Sequence, residues 1–432
     1  MRLTLLMSLG AATVVNAAKS RNILYYDQWH TTDTPPPFLT AEVTHVMMSF
    51  GNSSYFADLP APEYEPFQPL QQVRKLFDHD VKICLAIGGW GDNAGFNKSV
   101  QTDQAIESFA QKINATLDRV GFDCVDMDWE YPGGNGQDYK QTNACENAKQ
   151  IKQFPKLLQE IKHSIGNKEL SIAVPGLTRD MMAFVPETTP SIVKAVDFIN
   201  VMSYDLMNRR DHHTKHHVSV QGATSAIDNY ISLGFPASKL VLGIPFYAKW
   251  FTTKKGHTCS EPTGCPTELL EDPDDGSDTA KSGSITFEAL NFAEPPAELT
   301  ISPNNICGAG TSFKCAEGSC CADSGWCGTT PAHCDAGCQL PYGKCDGVDI
   351  SRSFRMALEN GHTDEKEGAQ WYWDSQTQIF WSWDTPELIQ KKILTLAKTR
   401  GIKSVMAWSL AQDSHDWSRL KAMQNGFKAV NG

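Results

Sequence analysis

Residues 121–130 read Gly121-Phe122-Asp123-Cys124-Val125-Asp126-Met127-Asp128-Trp129-Glu130. As a strand, with side chains alternating between faces, this stretch sets Asp126, Asp128 and Glu130 on one side and Val125, Met127 and Trp129 on the other. An apolar face against helices and an acidic row facing away from them describe a barrel strand with carboxylates in the lumen. Crowding three carboxylates is costly unless protons are shared, so at least one pKa rises toward neutrality. Glu130 lies nearest the strand's C-terminal end, where a substrate reaches it, and a protonated Glu there is a general acid. The competing reading is a Mg²⁺ or Ca²⁺ site of carboxylate oxygens. The run Trp129-Glu130-Tyr131-Pro132 favours a sugar site instead, so no metal and no cofactor is expected.

On either side of this strand, short apolar runs alternate with helical patterns. The other expected strands are Ile23–Tyr26, Val43–Phe50, Val81–Ile87, Leu170–Val174, Phe198–Tyr204, Leu240–Phe246 and Ser404–Trp408. Several are near-continuous apolar runs, as strands covered on both faces should be. Between them lie helix-like stretches such as Gln104–Val120, Ala148–Ile165 and Ser225–Leu233. Eight strands with helical crossovers make an α/β fold, a (β/α)8 TIM barrel, whose site lies at the C-terminal strand ends. The gap of about 155 residues before the eighth strand is too long for a connection, so an α+β insertion sits between strands seven and eight. The expected division is a leader at 1–17, the barrel at 18–250 and 385–432, the insertion at 251–384, and a small disulfide-rich module at 305–346 within it.

Composition narrows the partners. The chain has 432 residues with 38 Lys+Arg against 50 Asp+Glu, a formal charge of −12 that argues against nucleic acid or an anionic membrane. The 11 Trp suit stacking on the apolar faces of sugars. Met1-Arg2, an apolar Leu3–Val15 run and small residues before a cut after Ala17 describe a secretory leader, too short to span a bilayer. Sequons at Asn52, Asn97 and Asn114 agree with secretion, and so with disulfides. The expected product is an extracellular monomer, with cell-wall association open.

Eight of the 13 Cys fall between Cys307 and Cys345, spaced C-x7-C-x4-CC-x5-C-x6-C-x3-C-x6-C in Gly-rich polar filler. So small a segment needs covalent staples. Spacing alone does not choose among the pairings of eight cysteines, and zinc is a weaker reading. Cys259 and Cys265 bracket a short loop and are expected to pair. Cys84 and Cys124, in apolar strands, are expected to pack as small hydrophobes, and Cys145 has no obvious partner.

The D-x-x-D-x-D-x-E of Asp123–Glu130 resembles the signature of glycoside hydrolase family 18 chitinases of the fungal type. Ala86-Ile87-Gly88-Gly89-Trp90, Met202-Ser203-Tyr204-Asp205, Gly243–Lys249 and Val405–Trp408 resemble further family motifs, in order, over nearly all of 21–432. The resemblance implies a retaining, substrate-assisted cleavage of chitin, outside the two-carboxylate rule. Glu130 would be acid and base, and Asp128 would hold the acetamido N–H. Asp126 would share a proton with Asp128, Tyr204 would donate to the acetamido oxygen, and Asp205 would fix the ring. Trp408 would floor the sugar, with Gly89, Trp90, Tyr131, Met202 and Tyr247 also contacting substrate and Asp123 supporting the strand. Three departures stand out: Ala86 for a Ser that would bond the inner acids, Cys124 for a Gly, and Ala248-Lys249 for Gly-Arg.

The stretch Cys320–Gly328 is similar to a hevein-like chitin-binding module. That resemblance implies the pairs Cys307–Cys321, Cys315–Cys327, Cys320–Cys334 and Cys338–Cys345, and a sugar face at Ala322, Ser324, Trp326 and His333, where only Trp326 remains a certain aromatic. The partners implied are chitin and chitooligosaccharides. His212-His213-Thr214-Lys215-His216-His217 reads as a polar stretch at the barrel mouth, with zinc the lesser reading. Trp371–Trp373 and Trp381–Trp383 are expected strands whose Trp side chains serve the core or face substrate. The alternatives to an endo-acting chitinase are a chitin lectin on the same barrel, an endo-β-N-acetylglucosaminidase and a metal-dependent hydrolase.

Overall fold

The computed structural model describes residues 20–57, 63–322, 324–335, 337–345 and 347–432. The expected 1–17 leader lies outside the described residues. Seven parallel strands come first: β1 (Asn22–Asp27), β2 (His45–Gly51), β3 (Lys82–Gly88), β4 (Cys124–Asp128), β5 (Glu169–Pro175), β6 (Phe198–Met202) and β7 (Leu240–Pro245). The chain then builds an antiparallel sheet from β8 (Tyr247–Thr252), β9 (Ser282–Thr286), β10 (His362–Asp364), β11 (Ala369–Asp374) and β12 (Ile379–Trp383). Last comes β13 (Ser404–Trp408), which closes the barrel between β7 and β1. The insertion sheet begins at Tyr247, earlier than the expected boundary at 251, because β8 follows β7 after a single residue and pairs with β9 and β12.

Strand parity sorts the barrel into two layers. Leu24, Tyr26, Val46, Met48, Val125 and Met127 pack outward into a core shared with helix residues such as Phe109, Leu158 and Ile227. Ile23, Tyr25, Met47, Cys84, Ala86, Cys124 and Met406 fill the lumen. The helix over Asp103–Val120 is capped by the Thr102 hydroxyl, which accepts from the Ala105 N–H, and ends at Gly121 with φ +92°. That left-handed turn, which glycine adopts without steric cost, delivers the chain into β4. Asp123, expected to support the strand, accepts from the Ile83 N–H and the Arg74 guanidinium, both at 2.8 Å, and so ties β4 to β3.

Cys259–Cys265 and the four bridges expected for the module are all present. Cys84 and Cys124 overturn an expectation: both are buried, but they are joined to each other across paired strands β3 and β4. Their register places the Cα atoms 4.4 Å apart, within the reach of a disulfide. Cys145 is exposed and unpaired. The module's buried core is made of cysteines and Tyr342, whereas the barrel carries a large apolar core. Graded reduction with alkylation and mass mapping should therefore open the bridges between Cys307 and Cys345 before Cys84–Cys124. Labelling of Cys84 ahead of the module would contradict this.

The Trp runs serve the core. Trp381 and Trp383 are buried within the insertion sheet, Trp381 donating to the Ser353 hydroxyl, and Trp373 donates to Thr253. None of these lines the catalytic mouth. Among the described residues no helix is long and apolar enough to cross a membrane.

Candidate active site

The three acids leave the lumen in the order of their roles. Asp126 lies deepest and fully buried: its carboxylate accepts from Tyr25 Oη at 2.8 Å, Ser171 Oγ at 2.6 Å and Asn200 Nδ2 at 3.1 Å. Burial raises its pKa while these three donors oppose the rise. Ala86, its register partner on β3, brings no hydroxyl, but Ser171, its partner on β5, does. The innermost acid is therefore held without the family's serine.

Asp128 is the next inward residue, also buried, and its Oδ1 has no hydrogen-bond partner. Burial, then the charges of Glu130 and Asp126, push its carboxyl well above the ordinary carboxylate range. Its main chain is clamped by β3: the Gly89 N–H donates to the Asp128 carbonyl at 2.8 Å, and Gly88, at φ +115°, passes so close that a Cβ would lie 2.1 Å from that oxygen. Gly89 lies beneath the Phe50 ring and is not part of the cleft wall. Its N–H is spent on the Asp128 carbonyl, so Gly89, expected to contact substrate, here holds the main chain of the acid.

Glu130 sits two residues further on, where the chain has left the strand. Its pKa is pushed up to about 8, first by burial, with the Tyr131 hydroxyl pulling the other way and the charges of Asp205 and Asp180 pushing further. A carboxyl so placed carries its proton at neutral pH. It opens into a cleft of about 360 Å³ at the C-terminal strand ends, shared with Asp128, Tyr204, Asp205, Trp90 and Trp408. Tyr131, Met202 and Tyr247 also line it.

Two adjoining surfaces complete the cleft. On one, Trp408 stacks against Phe50, with ring centroids 5.4 Å apart at 18°. Tyr204 Oη lies 3.9 Å from the Met406 sulfur, and burial holds that hydroxyl protonated as a donor. On the other, Tyr247 Oη donates to Asp205 at 2.8 Å and Lys249 Nζ lies 3.1 Å from the same oxygen. Burial alone would raise Asp205, but Lys249, then His217 and Tyr247, hold its carboxylate well below the ordinary range. The lysine that stands for the family arginine thus still pins Asp205, as a point charge.

The rim was less visible in the sequence. The Arg210 guanidinium stacks on Tyr139 at 3.8 Å and donates to the carbonyls of Asn135 and Gly136, while Arg209 pairs with Glu271 of the insertion at 3.1 Å. These contacts lock the loops after β4 and β6 to the inserted domain. The histidine run divides: His216 is buried against Asp364 at 3.0 Å, His217 is buried 3.6 Å from Asp205, and His212 and His213 are exposed. The four rings are not gathered at one point, and among the described residues the only grouping spaced as metal ligands is Cys307, Cys315 and Cys327, whose sulfurs are in disulfides. Trp326 and His333 lie in the module, outside the cleft wall.

The sequence model for glycosyl hydrolases family 18 matches residues 21–413. The chain belongs to that family. It is 28% identical to the chitinase-like effector of Moniliophthora roreri over 284 residues, covering 62% of this chain and 68% of the relative. It is 28% identical to mouse chitotriosidase-1 over 227 residues, covering 48% of each chain. The chain thus spans about half the length of chitotriosidase-1. Its fold is similar to that of the chitinase RmChi1 from Rhizomucor miehei, with a TM-score of 0.65 at 17% identity over 94% of this chain and 99% of that one. It is also similar to a group II chitinase catalytic domain from Ostrinia furnacalis solved with (NAG)5, with a TM-score of 0.62 at 17% identity over 96% and 100% of the two chains.

Proposed function

We propose that this family 18 hydrolase is a secreted, monomeric chitinase that cleaves β-1,4 bonds between N-acetylglucosamine units with retention of configuration. The carrying observation is Glu130, whose pKa burial pushes up to about 8, lining the cleft with Asp128, whose buried Oδ1 has no partner. A lone buried acceptor beside an acid fits a substrate that brings its own N–H and its own nucleophile, as a 2-acetamido sugar does. Glu130 gives its proton to the glycosidic oxygen while the C1–O bond breaks. The acetamido oxygen bonds to C1, its N–H is accepted by Asp128, and Tyr204 donates to that oxygen as it positions. Water then opens the ring intermediate as the Glu130 carboxylate takes its proton. Trp408 gives the sugar an apolar floor.

The stapled 305–346 segment is read as a hevein-like chitin-binding module. Its pairing supports this, as does a half-exposed Trp326; Ala322 is buried, and His333 lies flat on Gly328. Six disulfides and an exposed Asn52 fit an extracellular setting.

Incubation with chitohexaose, cellohexaose and fully deacetylated chitosan, followed by product chromatography, tests the substrate class. Chitohexaose alone should be shortened, and kcat/KM should fall as pH rises through about 8, where Glu130 loses its proton. Rapid cleavage of cellohexaose, intact chitohexaose, or a rate still rising above pH 9 would contradict the proposal.

A further inference from the structure

A second groove of about 550 Å³ lies between the insertion sheet and the disulfide-rich segment. One wall is the segment itself, with Trp326 and Ile306; the other is the insertion, with Glu288, Leu290 and Arg355. Trp326, Leu290 and Ile306 are 51%, 41% and 38% exposed, an apolar strip set among polar groups. The two walls touch each other. Lys281 pairs with Asp335 at 3.5 Å, and Gly310, at φ +78°, lies on Leu290 so closely that a Cβ would come within 2.7 Å.

The groove borders the catalytic cleft. Ser284 of β9 lines both. Glu288 lines the groove, and its carboxylate is 3.4 Å from His30 Nε2. The neighbouring Trp29, 63% exposed, has its ring 6.4 Å from Phe50, which in turn stacks on Trp408 of the cleft. The ring contacts from Trp408 through Phe50 to Trp29, and then the His30–Glu288 pair, therefore link the cleft to the edge of the groove. Nothing about an independently anchored module requires such a path.

We propose that this groove is a second polysaccharide-binding surface, built jointly by the insertion and the stapled segment, and that one N-acetylglucosamine polymer runs from the catalytic cleft across it. The inference rests on the chitin reading above. Trp326 offers a stacking face, and the Arg355 guanidinium offers planar donors to hydroxyl or acetamido oxygens. A chain already held in the cleft meets the groove at high effective concentration, so long polymers gain affinity that short oligomers cannot.

The test uses the full chain carrying Glu130→Gln, with affinities measured for chitotetraose and for soluble glycol chitin. Trp326→Ala, on the segment wall, and Arg355→Ala, on the insertion wall, should each lower the ratio of glycol chitin affinity to tetraose affinity by about tenfold, equivalent to about 1.4 kcal/mol. A lowered ratio in Trp326→Ala alone would mean that the segment binds by its own face, and would overturn the joint groove. An unchanged ratio in both would overturn it as well. Failure of the Glu130→Gln chain to bind tetraose at all, with chitohexaose intact in the wild type, would sink the chitin reading itself and this inference with it.

Discussion

Glu130→Gln is expected to lower kcat on chitohexaose by about 10²- to 10⁴-fold, the range that a positioned general acid supplies. The amide keeps the shape and the hydrogen bond to Tyr131 but has no proton to give, so oligosaccharide affinity should stay within about threefold. A second readout follows from linkage. The folded-state pKa of Glu130 is raised to about 8 from an ordinary 4.5, so the folded chain binds the proton more tightly than the unfolded chain. Its stabilising contribution is full below about 4.5 and is lost as pH rises through about 8. Gln carries no such dependence. The Tm of the variant should therefore gain on wild type as pH is raised from about 4.5 to 8. Wild-type turnover in Glu130→Gln, or a Tm difference that does not change with pH, would end the assignment of the acid.

Asp128→Ala is the second large effect. It removes the acceptor for the acetamido N–H and the negative charge that steadies the cationic ring intermediate. Loss of one preorganised electrostatic partner of this kind costs about 10²- to 10³-fold in kcat. The variant should retain a folded barrel, because Asp126 keeps its bonds to Tyr25, Ser171 and Asn200. Asp128→Asn should fall between the two, since its amide oxygen still accepts the N–H but carries no charge. Steady-state kinetics on chitohexaose, with circular dichroism to confirm folding, checks both variants. A loss of less than tenfold in Asp128→Ala would show that another group meets the acetamido nitrogen.

How far the sequence leads depends on how local each signal is. The barrel strands were legible because strands buried on both faces are written as continuous apolar runs, and Ser404–Trp408 was placed to the residue. The acidic row was legible because parity alone sorts Asp126, Asp128 and Glu130 from their apolar neighbours. The donors to Asp126 were not, since Tyr25, Ser171 and Asn200 come from three other strands and meet only when the barrel closes. Each nevertheless left a trace: a polar group at inward parity within a largely apolar strand. Cys84–Cys124 was hidden for a similar reason. The bond depends on the register of two strands 40 residues apart, which no spacing rule reports. Lys249 shows the reverse case, a visible departure whose consequence only geometry gives: it still reaches Asp205.

The central claim is that the substrate's own acetamido oxygen, and not a water or an enzyme carboxylate, attacks the anomeric carbon. Attack by the neighbouring oxygen and then by water from the vacated face gives two inversions and net retention. Proton NMR of the first products from chitohexaose, recorded before mutarotation, reads this directly. The account predicts the β anomer at the earliest times; α product there would mean direct attack by water, and would contradict the roles given to Asp128 and Tyr204.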